Sequence, residues 1–534
     1  MKRPSGAEAG TALHSPAPPP DPLYLDRHLA GRLSRHFSRP VPGHGEQLRA
    51  ALGLWQWEHL ARSLLHAAEN SHWYKKNIGP QAARDMLTQA APAAFLVGGA
   101  QGGTHAGEAA FIPGTDRLRL ADEEREAAEG AIRALVGQLP FTRPEELAAD
   151  SGAFLAVGQG DVAGLISIAS SGTSGSGAKR VFCTAADLEH TVDFFRHGMQ
   201  YMVWPKGRPR AGEEHVVLLM SGERPGSVGD LLLRAMRDLG VNCTVLGMLP
   251  VDPPAEERFM QRLCAIRPSC LVGIPGQVLR LSRHARAAAL RGSLGSVLLS
   301  GDAVTASLRN GIARALACPV FVHYGLTETG LGGAVECSFL AGCHMREADL
   351  LFEILDARGR PVAPGQFGEL VISTLTRQAM PLLRYRTGDA GRVPAGDCPC
   401  GSILGRLEVQ GRMSECLPLP GGACLHITVI DAVLYALPFL RAYSAVLHTP
   451  PGRPPCLRLD ITCGAGAPED AEEHIYRALA TIPGLHPVKT PAEETEEGCL
   501  RVLLRPASQG AHTEVTGEAG PRPKQSILRS ELPP

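Results

Sequence analysis

The sequence predicts an α/β protein with a large amino-terminal domain and a small carboxy-terminal α+β domain. The large domain is expected to contain doubly wound, mostly parallel sheets and a β-meander. Three observations support this class: strands alternate with helices from about residue 162, the strands are apolar throughout, and the rhythm changes after about residue 411. Strands without a polar face are typical of a sheet that helices cover on both sides. The 534 residues leave room for about two to four domains.

The alternation is clearest between residues 215 and 323. Strands are predicted at 215–220, 243–246, 270–274, 297–300 and 320–323. Helices are predicted at 229–239, 255–266, 277–290 and 307–317. An earlier helix over 188–204 follows a fair helix start, Thr184 with Asp187. Past residue 350, strands at 350–355 and 369–373 enclose turn residues, which predicts the antiparallel meander.

The two ends of the chain differ from this core. Residues 1–45 are rich in Pro, Gly, Ser and Arg, which predicts a disordered or loosely attached arm. The large domain is placed at 46–411 and opens with amphipathic helices over 47–77. The small domain is placed at 412–534, with two helices and three strands that we expect to form an antiparallel sheet.

Composition and charge restrict the classes of function. The chain carries 53 Lys and Arg against 54 Asp and Glu, a formal charge of −1. This balance gives no electrostatic reason to expect a nucleic-acid or membrane partner, and no apolar run approaches the ~20 residues of a membrane span. The start of the chain lacks the apolar core of a secretory signal. We therefore expect a cytoplasmic protein whose 14 cysteines are mostly reduced, with clustered ones serving as metal ligands.

The strongest local signal is a Gly- and Ser-rich segment, Ser-Ser-Gly-Thr-Ser-Gly-Ser-Gly-Ala-Lys at 170–179. It is expected between two strands. Small residues let the backbone approach a phosphate closely, and consecutive N–H groups can surround its oxygens. The alternative for such a segment alone is a flexible surface loop.

Two further motifs follow predicted strands. His-Tyr-Gly-Leu-Thr-Glu at 323–328 comes at a strand end, where ligands bind in open parallel sheets. Tyr324 offers a flat face for a base, and Glu328 offers a carboxylate for Mg²⁺. Arg-Tyr-Arg-Thr-Gly-Asp at 384–389 places Asp389 at a tight turn, where it can accept two hydrogen bonds from a ribose diol. An ordinary strand end and an ordinary turn aspartate are the alternatives.

In this order, the three motifs resemble those of the adenylate-forming superfamily of acyl-CoA synthetases, and its phenylacetate–CoA ligase branch in particular. Residues 170–175 are similar to its Ser-Ser-Gly-Thr-Thr-Gly loop. Residues 324–328 are similar to its Tyr-Gly-x-[Thr/Ser]-Glu, and 384–389 to its Arg-Tyr-Arg-Thr-Gly-Asp. Segments 70–74 and 139–142 resemble landmarks of the branch. The resemblance covers roughly residues 48–411 well.

The resemblance implies a ligase that joins a carboxylate to ATP, releasing pyrophosphate, and then passes the acyl group to the thiol of CoA. The acid would be an aryl or arylacetic acid, and a homodimer is expected. Glu328 would bind Mg²⁺ and act as a catalytic residue. The residues implied in binding ATP or AMP are Ser171, Gly172, Thr173, Ser174, Gly175, Gly301, Asp302, Ala303, Tyr324, Gly325, Thr327, Asp389, Arg406 and Arg412.

Two departures from the family pattern keep other functions open. Ser414 stands where the family has the hinge residue of its small domain, and Lys524 is only a weak match to the catalytic lysine. A tail lysine in solvent is the alternative for Lys524. One rival function keeps adenylation but uses a carrier protein or coenzyme as acceptor instead of CoA. Another is a non-catalytic relative that binds nucleotide or acyl-CoA.

A separate constellation has metal-ligand chemistry. Cys337 and His344 are followed at a distance by Cys398 and Cys400. Two close pairs of soft ligands are how structural zinc sites are commonly assembled, and the phenylacetate–CoA ligase branch resembles this arrangement. We therefore expect a structural Zn²⁺. Cys343 is a substitute candidate for His344, and four unrelated residues in a Cys-rich chain are the alternative.

Overall fold

The computed structural model describes residues 24–38, 40–91, 122–168, 179–203, 214–222, 224–419, 424–448, 456–464, 466–488, 500–506 and 527–530. None of the helices in these parts combines the length and the apolar composition that a bilayer crossing requires. The described chain opens with the helices α1 Tyr24–His36, α2 Glu46–Asn70, α3 His72–Asn77, α4 Pro80–Ala90, α5 Asp122–Gln138 and α6 Pro144–Ala149.

Helix α1 belongs to the body of the protein. Leu29 and Leu33, one helical turn apart, are buried in the same apolar core as α2. The buried Asp26 carboxylate accepts hydrogen bonds from the Ser402 hydroxyl and, at 2.9 Å, from the Ile403 amide. The expected loose arm is therefore wrong for the described residues 24–38. The Pro-rich composition that suggested it is concentrated before the helix, in residues outside the described ranges.

A hairpin and one large sheet follow. The hairpin pairs β1 Gly164–Ile168 with β2 Lys179–Cys183. The sheet is formed by β3 His215–Leu219, β4 Asn242–Val245, β5 Cys270–Gly273, β6 Ser296–Ser300, β7 Val320–Tyr324, β8 Ala334–Glu336, β9 Cys343–Met345, β10 Leu350–Leu355, β11 Gly368–Thr374, β12 Tyr385–Arg392 and β13 Arg406–Arg412. Its spatial order is β10-β11-β12-β13-β9-β8-β7-β6-β5-β3-β4.

Helices cover both faces of the parallel strands. They are α7 Ala185–Val203, α8 Val228–Asp238, α9 Pro253–Ile266, α10 Pro275–Ser282 and α11 Ala306–Leu316. In β3, Val216 and Leu218 enter one apolar core, whereas Val217 and Leu219 enter the other. Successive strand residues point to opposite faces, so a strand with no polar face needs two cores. The predicted α/β class is confirmed.

The sheet is mixed, however, and not mostly parallel. The strands β4, β3, β5, β6 and β7 are parallel neighbours, but every pair from β7 to β10 is antiparallel. The expected meander is thus continuous with the parallel strands through β8 and β9. These two strands have three residues each. So few residues show no hydrophobic period from which a strand could be predicted.

The small domain packs on α10 and α11. It comprises β14 Cys416–Pro418, β15 Cys424–His426, α12 Ile427–Leu434, β16 Leu440–His448, β17 Cys456–Cys463, α13 Ala471–Leu479, β18 Leu485–Val488, β19 Leu500–Pro506 and β20 Ile527–Ser530. Ile430 of α12 shares a core with Leu308 and Ile312 of α11. The expected antiparallel sheet is wrong. Only β16 with β17 is antiparallel among the described pairs of the five-stranded sheet, and the other three are parallel.

Asp431 in α12 makes the stability of this domain depend on pH. It is 6% exposed and accepts a hydrogen bond from the Tyr443 hydroxyl at 2.7 Å. Burial, with the negative Asp302 and Glu415 nearby, raises the pKa of Asp431 from 3.8 to about 7. The folded protein therefore binds this proton more tightly than the unfolded chain does. The stabilising contribution of protonated Asp431 is fully present below pH ~4 and is lost as the pH rises to ~7.

We expect Asp431→Asn to remove most of this loss, which amounts to at most about 4 kcal/mol between pH 4 and 7. Urea unfolding of the full chain at several pH values measures it. Glu415, whose pKa burial also raises to about 7, is left in place and accounts for a remaining slope. Equal pH slopes in the wild type and the variant would contradict the prediction.

Candidate active site

The site begins where β6 and β7 end side by side. Their register pairs Ser300 with His323, so the next residues, Gly301 and Tyr324, lie at the same edge of the sheet. Gly301 has a φ of +91°, which an L side chain rarely adopts. Asp302 follows, and its Oδ1 accepts the Ala303 amide at 2.9 Å. The edge thus presents a turn of backbone and a tyrosine ring at the carboxyl ends of parallel strands.

Tyr324 is joined to the meander by Asp389. The Tyr324 hydroxyl donates to Asp389 Oδ2 at 2.7 Å, and Arg412 Nε lies 3.1 Å from Asp389 Oδ1. Burial raises the pKa of Tyr324, and the neighbouring Asp389 adds to this, so the hydroxyl stays protonated and donates. Burial alone would lower the pKa of Arg412, but Asp389 and other acids outweigh it and hold the guanidinium positive.

Glu328 forms a second set of contacts beside the first. Its Oε1 accepts from the Tyr385 hydroxyl at 2.6 Å and lies 3.0 Å from Lys179 Nζ. Lys179 Nζ is also 3.2 Å from the Tyr385 hydroxyl. Burial would raise the pKa of Glu328, but the charge of Lys179 and these hydrogen bonds lower it. The carboxylate is therefore ionised, as a cation ligand must be.

These six residues form one polar cluster, made of Lys179, Tyr324, Glu328, Tyr385, Asp389 and Arg412. The charge of Glu328 shifts the pKa of both Tyr324 and Arg412, so the two sets of contacts adjoin. Gly325 makes the close approach possible, because a Cβ there would lie 2.2 Å from the Leu331 carbonyl oxygen. Thr327 is buried in the same turn.

Several predicted site residues lie elsewhere or outside the described ranges. Arg406 stands at the opposite end of β13 from Arg412, about 20 Å away at ~3.3 Å per residue. Its guanidinium donates to the carbonyls of Ala341, Ala395 and Gly396. Arg406 is therefore committed to backbone carbonyls, and its assignment to nucleotide binding is wrong. Outside the described residues lie Ser171, Gly172, Thr173, Ser174, Gly175 and Lys524.

Ser414 lies between the two domains. It is exposed in a short 3₁₀ turn, Met413–Glu415, that joins β13 to β14. Gly411 precedes this turn with a φ of +141°, and a Cβ there would lie 2.6 Å from His426 Cε1. A hinge at Ser414 stays a prediction.

Sequence reasoning missed two members of the polar cluster, Lys179 and Tyr385. Tyr385 lies inside the Arg-Tyr-Arg-Thr-Gly-Asp motif, yet only its aspartate was given a role. Lys179 closes the Gly- and Ser-rich segment and opens β2. A lysine at the end of the Gly- and Ser-rich segment, where a strand begins, was the available signal. Nothing in the sequence showed that Glu328 would be its partner 149 positions on.

The four predicted zinc ligands come together. The ligand atoms of Cys337, His344, Cys398 and Cys400 all lie within 4.8 Å of one another, and all four residues are buried. Cys337 and Cys398 Sγ are 3.6 Å apart, and Cys400 Sγ is 3.3 Å from His344 Nε2. Zn–S bonds of ~2.3 Å in a tetrahedron require sulfur atoms about 3.7 Å apart. These four residues, named here the Cys₃His cluster, therefore fit a zinc ion.

The surroundings of the Cys₃His cluster suit a ligand role. His344 Nδ1 donates to the Leu404 carbonyl at 3.1 Å, which leaves the Nε2 lone pair facing the sulfurs. The Ser402 amide donates to Cys400 Sγ at 3.4 Å. Cys343 is the neighbour of His344 in β9 and points to the other face, where its thiol lies 3.4 Å from the Val322 carbonyl. Of the two candidates for the fourth ligand, His344 is the one placed at the cluster.

Known proteins share sequence similarity with this chain, and the part matched by a family model contains the end of β7. The model of the AMP-binding enzyme family matches residues 239–379. The phenylacetate-coenzyme A ligase of Thermus thermophilus is 31% identical over 235 residues, which are 41% of this chain and 53% of the relative. That of Escherichia coli is 29% identical over 181 residues, 33% of this chain and 41% of the relative. The chain is therefore similar to phenylacetate-coenzyme A ligases over part of its length and contains a segment that matches the AMP-binding enzyme family.

The match to these relatives is partial in length, since the chain spans about half of the curated relatives it matches. Solved structures extend the similarity in fold. A 2-hydroxyisobutyryl-CoA ligase in complex with 2-HIB-AMP, in its postadenylation state, has a TM-score of 0.64 and covers 91% of this chain and 90% of its own. Its sequence identity is 16%, so the likeness shows that the two share a fold.

Proposed function

We propose that the protein is an AMP-forming acyl-CoA ligase that adenylates an aryl or arylacetic carboxylate with ATP and transfers the acyl group to CoA. The observation that carries the proposal is the polar cluster, in which residues from two distant motifs, Tyr324–Glu328 and Tyr385–Asp389, meet at the end of β7. Three features of the cluster suit nucleotide and metal binding. They are a buried ionised glutamate, a buried aspartate held by an arginine, and a tyrosine at a strand end.

Each residue has a part in this proposal. Asp389 would accept the ribose hydroxyls, and Tyr324 would pack against the base, with Gly301, Asp302 and Ala303 on its other side. Glu328 would hold Mg²⁺, the ion that neutralises the phosphates. Its ion pair with Lys179 would then be replaced by the contact with Mg²⁺. Lys179 and Arg412 would then face the charge that develops at the α-phosphorus. The Cys₃His cluster would hold a structural Zn²⁺, because four protein ligands leave no position for water.

Carboxylate-dependent exchange of pyrophosphate into ATP tests the proposal without CoA. We expect exchange with aryl or arylacetic acids, and formation of a CoA thioester when CoA is added. Exchange without a thioester would favour a carrier protein or coenzyme as acceptor. Tight ATP binding with no exchange for any acid would favour the non-catalytic relative. The homodimer and the cytoplasmic location stay predictions.

Asp389→Asn is expected to weaken nucleotide binding. The amide keeps the shape of the side chain but loses the charge that pairs with Arg412, and charged hydrogen bonds are worth about 1.5–3 kcal/mol. We expect KM for ATP to rise about tenfold or more, with KM for the acid changed much less. Steady-state AMP release measures both. An unchanged KM for ATP would place the ribose elsewhere.

A further inference from the structure

An apolar cavity lies at the same end of the parallel strands as the polar cluster. It contains about 340 Å³ of empty space, part of it open to solvent, and lies at the carboxyl ends of β5, β6 and β7. Leu298 and His323 line its sheet side, and Phe194 and Met199 of α7 line the side opposite. His323 and Tyr324 are consecutive residues at the carboxyl end of β7, so the cavity and the candidate nucleotide site lie at the same end of the sheet. The lining of the cavity is apolar apart from His323 and Ser300, which suits the ring of an aryl acid.

One polar atom in this wall is unsatisfied. His323 is 7% exposed, and its Nδ1 lies 2.9 Å from the Ser300 hydroxyl. Its Nε2 is buried and has no hydrogen-bond partner in the part of the chain that the structure describes. The rings of Phe194 and Phe195 stand 5.9 and 5.8 Å from the imidazole and offer it no acceptor. A buried polar group without a partner costs about 1–3 kcal/mol.

A water molecule would satisfy this atom poorly. Buried waters typically make about three hydrogen bonds. The Ser300 hydroxyl is already engaged with His323, and the rest of the lining is apolar. A ligand group is different, because the rest of the ligand anchors it in the cavity and it needs no further polar partners.

We propose that His323 Nε2 binds a hydroxyl group on the ring of the acid, so that the preferred substrates are hydroxylated aryl or arylacetic acids. This inference rests on the proposed function and names the substrate class of that site. A hydroxyl both donates and accepts, so it can pair with Nε2 in either tautomer of the imidazole. The proposal makes His323 a specificity-determining residue that touches the substrate.

The electrostatics of the cavity support a neutral substituent. Burial lowers the pKa of His323 to about 4, and the positive Arg346 adds to this. The imidazole is then uncharged at pH 7 and offers no charge to a second carboxylate. Burying an unpaired carboxylate in an apolar cavity is strongly unfavourable. A ring hydroxyl can form a hydrogen bond with Nε2 without bringing a charge into the apolar cavity.

The test compares kcat/KM for AMP release with the three hydroxyphenylacetate isomers and with phenylacetate. In the wild type we expect at least one isomer to exceed phenylacetate about tenfold or more. His323→Phe should lower the ratio of kcat/KM for that isomer to kcat/KM for phenylacetate about tenfold or more. For His323→Gln, which retains a polar group, this ratio should lie between the values of the wild type and of His323→Phe. Met199→Leu in the same cavity is the matched control and should change both acids alike.

The outcomes separate this inference from the proposed function. Turnover of phenylacetate with no preferred isomer would overturn the inference and leave the ligase activity standing. An unchanged preference in His323→Phe would also overturn it. Absence of AMP release with every acid would overturn the proposed function and the inference with it. If His323→Phe does not fold, as circular dichroism would reveal, the wild-type preference together with His323→Gln decides.

Discussion

Glu328→Gln is expected to lower carboxylate-dependent AMP release by about 100-fold or more. The amide fits the same buried space and can still accept from the Tyr385 hydroxyl, which lies 2.6 Å from Oε1. What it loses is the negative charge that pairs with Lys179 and that would hold Mg²⁺. Removing one preorganised electrostatic group from an active site typically costs 10²–10³-fold in rate. The measurement is kcat at saturating ATP, Mg²⁺ and acid.

A matched control shows whether the effect is local. Glu353 is a partly buried glutamate that is also paired with a cation, since its Oε1 lies 3.0 Å from Arg384 Nη2. Glu353→Gln removes the same charge from an ion pair that lies outside the polar cluster. We expect it to lower thermal stability but to leave kcat within about threefold. A Glu328→Gln enzyme that retains more than half of its activity would remove Glu328 from the catalytic centre.

Replacing a ligand of the Cys₃His cluster is expected to have the largest effect on stability. Cys398→Ser should abolish binding of one zinc ion per chain and lower the free energy of unfolding by about 3 kcal/mol or more, because loss of a structural metal removes binding energy that belongs to the folded state. The measurements are metal content by mass spectrometry and thermal unfolding, on protein expressed with added zinc and purified without chelators.

Cys343→Ser is the control for this experiment. Its thiol is buried next to His344 but faces the Val322 carbonyl instead of the cluster. Its zinc content should equal that of the wild type, whatever its stability. Wild-type protein without zinc, or a Cys343→Ser variant that loses as much zinc as Cys398→Ser, would show that the four residues are not a zinc site.

The strands of the parallel part could be predicted because their chemistry is local. Residues such as Val216 to Leu219 are apolar in an unbroken run, and only a strand between two helix layers buries all of them. The predicted starts and ends of β3, β5 and β6 agree with the structure within one residue. The same reasoning placed Tyr324 and Glu328 at a strand end, which is where the structure has them.

What could not be predicted depends on contacts between distant segments. The partner of Lys179 is set by how β2 faces the turn after β7, and no pattern near either residue carries that information. Arg406 and Arg412 belong to one strand and look equivalent in sequence. The pairing of β13 separates them, because Arg412 lies opposite Asp389 of β12 and Arg406 lies opposite His344 of β9. Helix α1 was missed because its two buried leucines were outweighed by the composition of the residues before it.

Arg412 is at once a member of the polar cluster and the last residue of β13 before the connection between the domains. Its side chain pairs with Asp389, its amide donates to Glu415 at 3.2 Å, and its carbonyl accepts from His426 of the small domain at 2.9 Å. A single residue therefore contacts both the Asp389 carboxylate and the small domain. Under the proposed function, a rotation of the small domain about this turn would shift the backbone of the residue that holds Asp389, so domain movement and the hold on the ribose would be coupled.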